Sequence, residues 1–187
     1  MIRQRRFLAW MLPAALLLTG CGYNKIQSLD EQAQSAKQQI QVQLQRRADL
    51  IPNLVNTVKG VTKQEDTVYI SIANARAQLA GAVKTGDPAQ MAAADQAATG
   101  AIGRLLAIAE NYPQLKANEQ FNRLMDELSG TENRIAQERR RYNEAVQAYN
   151  TARRQFPANI TAKIFGFKEY KLFEAPASAR QVPQVKF

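Results

Sequence analysis

The chain has 187 residues with 25 Lys and Arg against 16 Asp and Glu, a net charge of +9, one Cys and no His. The absence of His removes the commonest general base and metal ligand, and a single Cys excludes an internal disulfide. The length fits one domain preceded by a targeting peptide, and 30 Ala and 20 Gln against 9 Gly and 7 Pro favour helix over sheet or loop.

Residues 1–20 read as a signal peptide. Arg3, Arg5 and Arg6 precede an apolar run from Phe7 to Leu18, and small residues lead into Cys21. The run is shorter than the roughly 18–20 residues a spanning helix needs, so a permanent transmembrane segment is the weaker reading. Arg5-Arg6 lacks the usual spacing of a twin-arginine signal. Leu18-Thr19-Gly20-Cys21 resembles a bacterial lipobox, which implies cleavage before Cys21 and lipidation of its thiol. Acyl chains, at about 0.8 kcal/mol per buried CH₂, hold a protein on a bilayer without a spanning helix. Gly22 follows where an Asp would suggest inner-membrane retention; by resemblance to Gram-negative lipoproteins, the periplasmic side of the outer membrane is favoured over the inner. Loss of the three signal arginines lowers the net charge to +6. A basic chain suggests nucleic acid in the cytoplasm, but outside it the available polyanions are membrane surfaces and envelope polymers, so no nucleic-acid partner is expected.

Prolines at 52, 88, 113 and 157 divide the mature chain into the helical runs 22–51, 53–87, 89–112 and 114–156. In the first, Ile26, Leu29, Ala33, Ala36, Ile40 and Leu44 form an apolar stripe that continues through Leu50, Ile51, Leu54, Val58 and Val61. The spacing leaves open whether Pro52 ends this helix or kinks it. Gly86-Asp87-Pro88 has the chemistry of a helix end, an N-cap and a first helical position in succession. The third run is Ala-rich and permits close helix approach. Tyr112-Pro113 breaks the chain, and Asn118 is suited to cap the last helix. Along 118–156, Phe121, Leu128, Ile135, Tyr142, Tyr149 and Phe156 recur every seven residues, beside Leu124, Met125 and Val146. Long helices joined by short loops predict an all-α, antiparallel up-and-down four-helix bundle over 22–157, with an irregular C-terminal tail over 158–187.

The same register places charges among apolar residues. Arg47 continues the track of Ile26, Ala33 and Ile40; Glu65 lies between Val61 and Val68; Glu132 and Arg139 fall in line with Met125 and Val146. Unpaired buried charges cost several kcal/mol each, so these residues should pair. The expected structural ion-pair layer is Arg46, Arg47, Glu65, Glu132 and Arg139, with Arg76 and Glu110 as further candidates. Its expected role is to fix bundle register rather than to bind a ligand.

Tyr23-Asn24, the run from Gln45 through Arg46-Arg47-Ala48-Asp49-Leu50-Ile51-Pro52-Asn53-Leu54-Val55, Val58-Lys59-Gly60, Ala75-Arg76-Ala77, Glu110 through Asn118, Thr131-Glu132-Asn133-Arg134-Ile135-Ala136, Tyr142-Asn143, Tyr149-Asn150 and Phe156-Pro157 together resemble the LemA family. The resemblance covers about residues 23–157. It implies a membrane-attached, extracytoplasmic four-helix bundle whose relatives are not established enzymes. It also implies an envelope protein partner, with membrane proteases and their associates among the classes linked to the family.

No chemistry emerges beside that resemblance. Helical di-metal sites use Glu-x-x-His motifs, which need the missing His, and no EF-hand spacing or P-loop is present. No cofactor, metal or catalytic residue is expected. Asn53, Asn143 and Asn150 read as caps or interhelical hydrogen bonds, and Tyr142 and Tyr149 as core residues whose hydroxyls reach polar partners. The tail holds Phe165, Phe167, Lys168, Tyr170 and Lys171, an aromatic and basic set that could contact a partner or a membrane, or fold back through Phe173. Residues Ala175 to Phe187 read as mobile. The function expected is a non-enzymatic scaffold or adaptor lipoprotein of the cell envelope. Its rival is an envelope polyanion- or lipid-binding module that uses the basic surface and the tail.

Overall fold

The computed structural model describes residues 2–60 and 66–174, with side chains from Gly22 to Gly60 and from Thr67 to Glu174. Glu65, the segment Ala175–Phe187 and the side chain of Cys21 lie outside the described residues. The regular structure described is entirely helical: α1 (Ile2–Lys59), α2 (Asp66–Thr85), α3 (Pro88–Ala109), α4 (Pro113–Lys116), α5 (Glu119–Arg154) and α6 (Ala158–Ile164). The fold class is therefore all-α. No described helix is long and apolar enough to cross a membrane.

Two compact units are formed. One joins α1 up to Ala36 with Arg141–Leu172; the other joins Lys37–Arg140 with the described end of the chain from Phe173. In the first unit, Ile26, Tyr149 and Ala162 form a buried cluster against which Leu29, Ala158, Phe167 and Tyr170 pack. In the second, the α1 stripe from Ile40 to Val58 is buried, as are Ile72, Ala75 and Leu79 of α2, Met91, Ala98 and Leu105 of α3, and Phe121, Leu128 and Ile135 of α5.

The helix boundaries follow from local chemistry. Gly86 ends α2 at a φ of 65°, which an L side chain rarely adopts, and Asp87 accepts a hydrogen bond from the Gln90 amide at 2.9 Å, with Pro88 at the first helical position. Asn118 Oδ1 accepts from the amides of Gln120 and Phe121 at 2.9 and 3.1 Å and opens α5. The run 114–156 is therefore two helices, the single turn α4 and the long α5. A second difference lies in the tail: residues 158–164, expected to be irregular, are the helix α6. The α5 stripe also stops short. Phe156, expected as its last packed position, follows the end of the helix at Arg154 and is 79 % exposed.

Pro52 neither ends nor begins a helix; α1 runs through it to Lys59. A proline inside a helix has no amide hydrogen, so the carbonyl four residues earlier loses its partner. That carbonyl belongs to Ala48, and the Arg76 Nε of α2 donates to it at 3.2 Å. Gln41 Nε2 donates to the Val83 carbonyl at 2.7 Å, so the α2 partner falls from 83 to 76 as α1 advances from 41 to 48, and the two helices are antiparallel. Arg76, a candidate for the charged layer, instead substitutes for the missing amide. Arg76→Ala is expected to cost about 1–2 kcal/mol in urea unfolding. In a Pro52→Ala background, where an amide again reaches Ala48, the cost is expected to fall by about 1 kcal/mol, a coupling measured by the double-mutant cycle.

Candidate functional site

Three helices meet on one carboxylate in the second unit. Asp95 of α3 is buried and takes Arg47 Nη1 of α1 on Oδ1 at 2.6 Å and Arg139 Nη2 of α5 on Oδ2 at 2.8 Å. Arg47 is only 2 % exposed. Its second terminal nitrogen donates to Thr99 Oγ1 at 3.0 Å and lies 3.7 Å from Glu132 Oε2, while the Thr99 hydroxyl donates to the Asp95 carbonyl. The Arg139 guanidinium also stands over the Phe173 ring, 5.1 Å from its centroid. A terminal nitrogen of each guanidinium is thus directed at the acid, an arrangement that binds three helices together, while the Nε of Arg47 and of Arg139 have no partner among the described residues.

The members expected from sequence separate on inspection. Arg47 and Arg139 converge on Asp95. Glu132 is more than half exposed and stands at the edge of the pair, so it is not a layer residue in the buried sense. Arg46 is exposed and reaches Glu127 at 3.9 Å. Glu110 is exposed at the end of α3, and Glu65 lies outside the described residues. Asp95 was missing from the expectation, although Met91, Asp95, Ala98, Ile102 and Leu105 share one helical stripe. The run is Ala-rich, with few large apolar residues to mark which of its faces is buried. Among the described residues no group of three or more Cys, Asp or Glu could hold a metal ion.

A second constellation holds the tail in the first unit. The Tyr142 hydroxyl donates to the Lys171 carbonyl at 2.9 Å, and the Tyr149 hydroxyl to the Lys168 carbonyl at 2.8 Å. Asn150 Nδ2 donates to the Tyr170 carbonyl at 2.9 Å and its Oδ1 accepts from the Tyr170 amide, in the manner of a strand pairing. Arg153 and Arg154 both reach the Glu169 carboxylate. The tail set is accordingly divided. Phe167 and Tyr170 turn inward, against Tyr23 and Tyr149, because the α5 side chains fix the backbone between them. Phe165 and the side chains of Lys168 and Lys171 stay exposed. Burial, and next the negative charge of Asp30, push the Tyr149 phenol up to about 12; burial and a hydrogen bond with Asp30 raise Tyr170.

Comparison with known proteins supplies the family. A model described as LemA family matches residues 36–187. The chain belongs to the LemA family. It is also similar to Magnetosome protein MamQ of Magnetospirillum gryphiswaldense, 28% identical over 189 residues that cover 87% of this chain and 70% of that one. Magnetosome proteins MamQ 2 and MamQ 1 of Paramagnetospirillum magneticum are each 28% identical over 179 residues, covering 83% of this chain and 66% of theirs. The chain spans about two thirds of the length of these curated relatives. The matched family region contains Arg47, Asp95 and Arg139 as well as the α5 residues that hold the tail.

Removing Asp95 strands the buried guanidinium of Arg47 and the half-buried one of Arg139. Asp95→Ala is expected to cost about 3–5 kcal/mol in urea unfolding followed by circular dichroism. Glu132→Gln, at the exposed edge, is expected to cost about 1 kcal/mol or less. The Tyr149 phenol can donate to Lys168 only while protonated. Its raised value means that this contribution is complete below the ordinary tyrosine value of 10 and is lost as pH rises towards about 12. A tyrosinate absorbance titration should show a late component in the native protein that shrinks in Tyr149→Phe, the remainder belonging to Tyr170.

Proposed function

We propose that this LemA-family protein is a non-enzymatic scaffold or adaptor, anchored to an envelope membrane through lipidated Cys21 and facing the periplasm, with the outer membrane as its site. Residues 1–20 serve as its signal peptide, and α1, α2, α3 and α5 of the second unit act together as an up-and-down four-helix bundle whose outer faces are offered to a protein partner. The observation that carries this reading is a groove along α1 beside Val83 of α2. It is lined by Gln38, Gln41, Val42, Gln45, Asp49, Leu50 and Asn53, and Val42 stands 57 % exposed in it.

Amide side chains around an exposed valine suit a helix or extended segment that brings both apolar and hydrogen-bonding groups. The consumption of the buried charges in one ion-pair cluster supports a mechanical rather than a chemical role. The relatives are named for the structure they belong to, the magnetosome, and not for a reaction, which supports the same reading. The rival, a polyanion- or lipid-binding module that uses the basic surface and the tail as its main function, finds less support, because Phe167 and Tyr170 of its aromatic set turn inward and hydrogen bonds to α5 hold the backbone of residues 168–171.

A photocrosslinker placed at Val42 in intact cells is expected to yield one recurrent adduct with another envelope protein, and the same probe at exposed Arg134 is expected to yield none. Absence of adducts at Val42, or adducts with this protein alone, counts against the adaptor role. Radiolabelled palmitate should enter the native protein and not Cys21→Ser.

A further inference from the structure

We infer that α6 and its flanks form a foot seated in the surface of the phospholipid bilayer, with Phe156, Ile160, Ile164 and Phe165 entering the interface. The inference rests on the reading that Cys21 is the membrane anchor, and it adds a second, noncovalent contact that sets how the first unit stands on the lipid.

The chemistry of α6 is inverted for a helix facing water. Thr161 and Ala162 are buried, whereas Ile160 and Ile164, one turn apart, are 48 % and 68 % exposed. Phe165 and Phe156 extend the same exposed set at 60 % and 79 %. Four large apolar side chains within ten residues are thus left exposed around one short helix, and clusters of exposed apolar side chains mark contact surfaces.

What covers the patch is indicated by where it lies. A Cβ on Gly22 would stand 3.3 Å from Ala158 Cα and 3.5 Å from Thr161 Oγ1, so α6 packs directly on the residue that follows Cys21. The Tyr23 ring lies 4.8 Å from that of Phe165. Acyl chains leaving Cys21 would therefore enter the bilayer beside the patch. Lys163 and Lys168 are exposed close by, where lysine heads reach phosphate groups while apolar side chains sink about 5–10 Å into the headgroup and acyl boundary.

The foot is also held firmly. The Phe165 amide bonds to Thr161, the Phe167 amide to Ala162, and Gly166 turns the chain at a φ of 72°. Its side chains need no rearrangement to meet a surface. Gly22 has its own place in this arrangement, since a Cβ there would stand tightly against Ala158 and require α6 to give by a few tenths of an ångström.

The protein, with Trp10→Phe in the signal segment so that any uncleaved precursor adds no emission, carries Ile164→Trp or, as reference, Gln32→Trp on the exposed face of α1. Each is reconstituted into phosphatidylethanolamine and phosphatidylglycerol vesicles with brominated acyl chains. Ile164→Trp is expected to lose about half or more of its emission and shift to shorter wavelength, and Gln32→Trp to change little. Emission from Ile164→Trp that remains unquenched overturns the foot, whether water or a second copy of the chain covers the patch. Palmitate labelling of the same sample reports separately on Cys21. Labelled but unquenched protein sinks the foot and leaves the anchor standing; unlabelled but quenched protein sinks the anchor and leaves the foot. Ile160→Ser with Ile164→Ser, both exposed, should keep the helical circular dichroism and, in Cys21→Ser protein, reduce vesicle binding several-fold; unchanged binding counts against the foot.

Discussion

Burying a guanidinium is costly unless its hydrogen bonds and charge are met, and Arg47 is almost wholly buried. Asp95 balances that charge and takes one of its terminal nitrogens, Thr99 takes the other, and because Asp95 also binds Arg139, one carboxylate fixes α1, α3 and α5 at a common level of the second unit. Apolar stripes alone tolerate a slip of one helical turn with little loss. A shared acid does not, because a shift along any one helix separates a buried ion pair. The cluster therefore supplies register, while the Ala, Leu and Ile side chains around it supply most of the favourable burial.

The same economy of donors recurs where the backbone is interrupted. Pro52 leaves the Ala48 carbonyl without its amide, and an arginine from the neighbouring helix takes the vacancy. At the other end, residues 168–171 have no regular structure, and their carbonyls are satisfied by Tyr142, Tyr149 and Asn150 of α5. Long side chains thus complete the hydrogen bonding that secondary structure leaves open. Tyrosine suits the task because its ring fills the core while its hydroxyl reaches the edge.

These arrangements bear on function. With buried charges paired and tail carbonyls occupied, what the protein presents to its surroundings is surface: an amide-rich groove along α1 and an apolar patch on α6. Both are contact features. The patch adjoins Gly22 in the first unit, and the groove belongs to the second.

Much of this was written in local sequence. The Gly86-Asp87-Pro88 boundary, the Asn118 cap and the seven-residue track from Phe121 to Tyr149 depend on neighbours in the chain, and local chemistry is enough to specify them. The composition alone set aside His-based catalysis and an internal disulfide. Other features depended on residues distant in sequence. That Asp95 rather than Glu132 receives Arg47, that Arg76 lets α1 pass through Pro52, and that Phe167 and Tyr170 turn inward while Ile164 and Phe165 stay outside are choices among competing partners. Helical periodicity states which face a residue occupies, but only the packed helices determine which opposing atom lies within hydrogen-bonding distance of it.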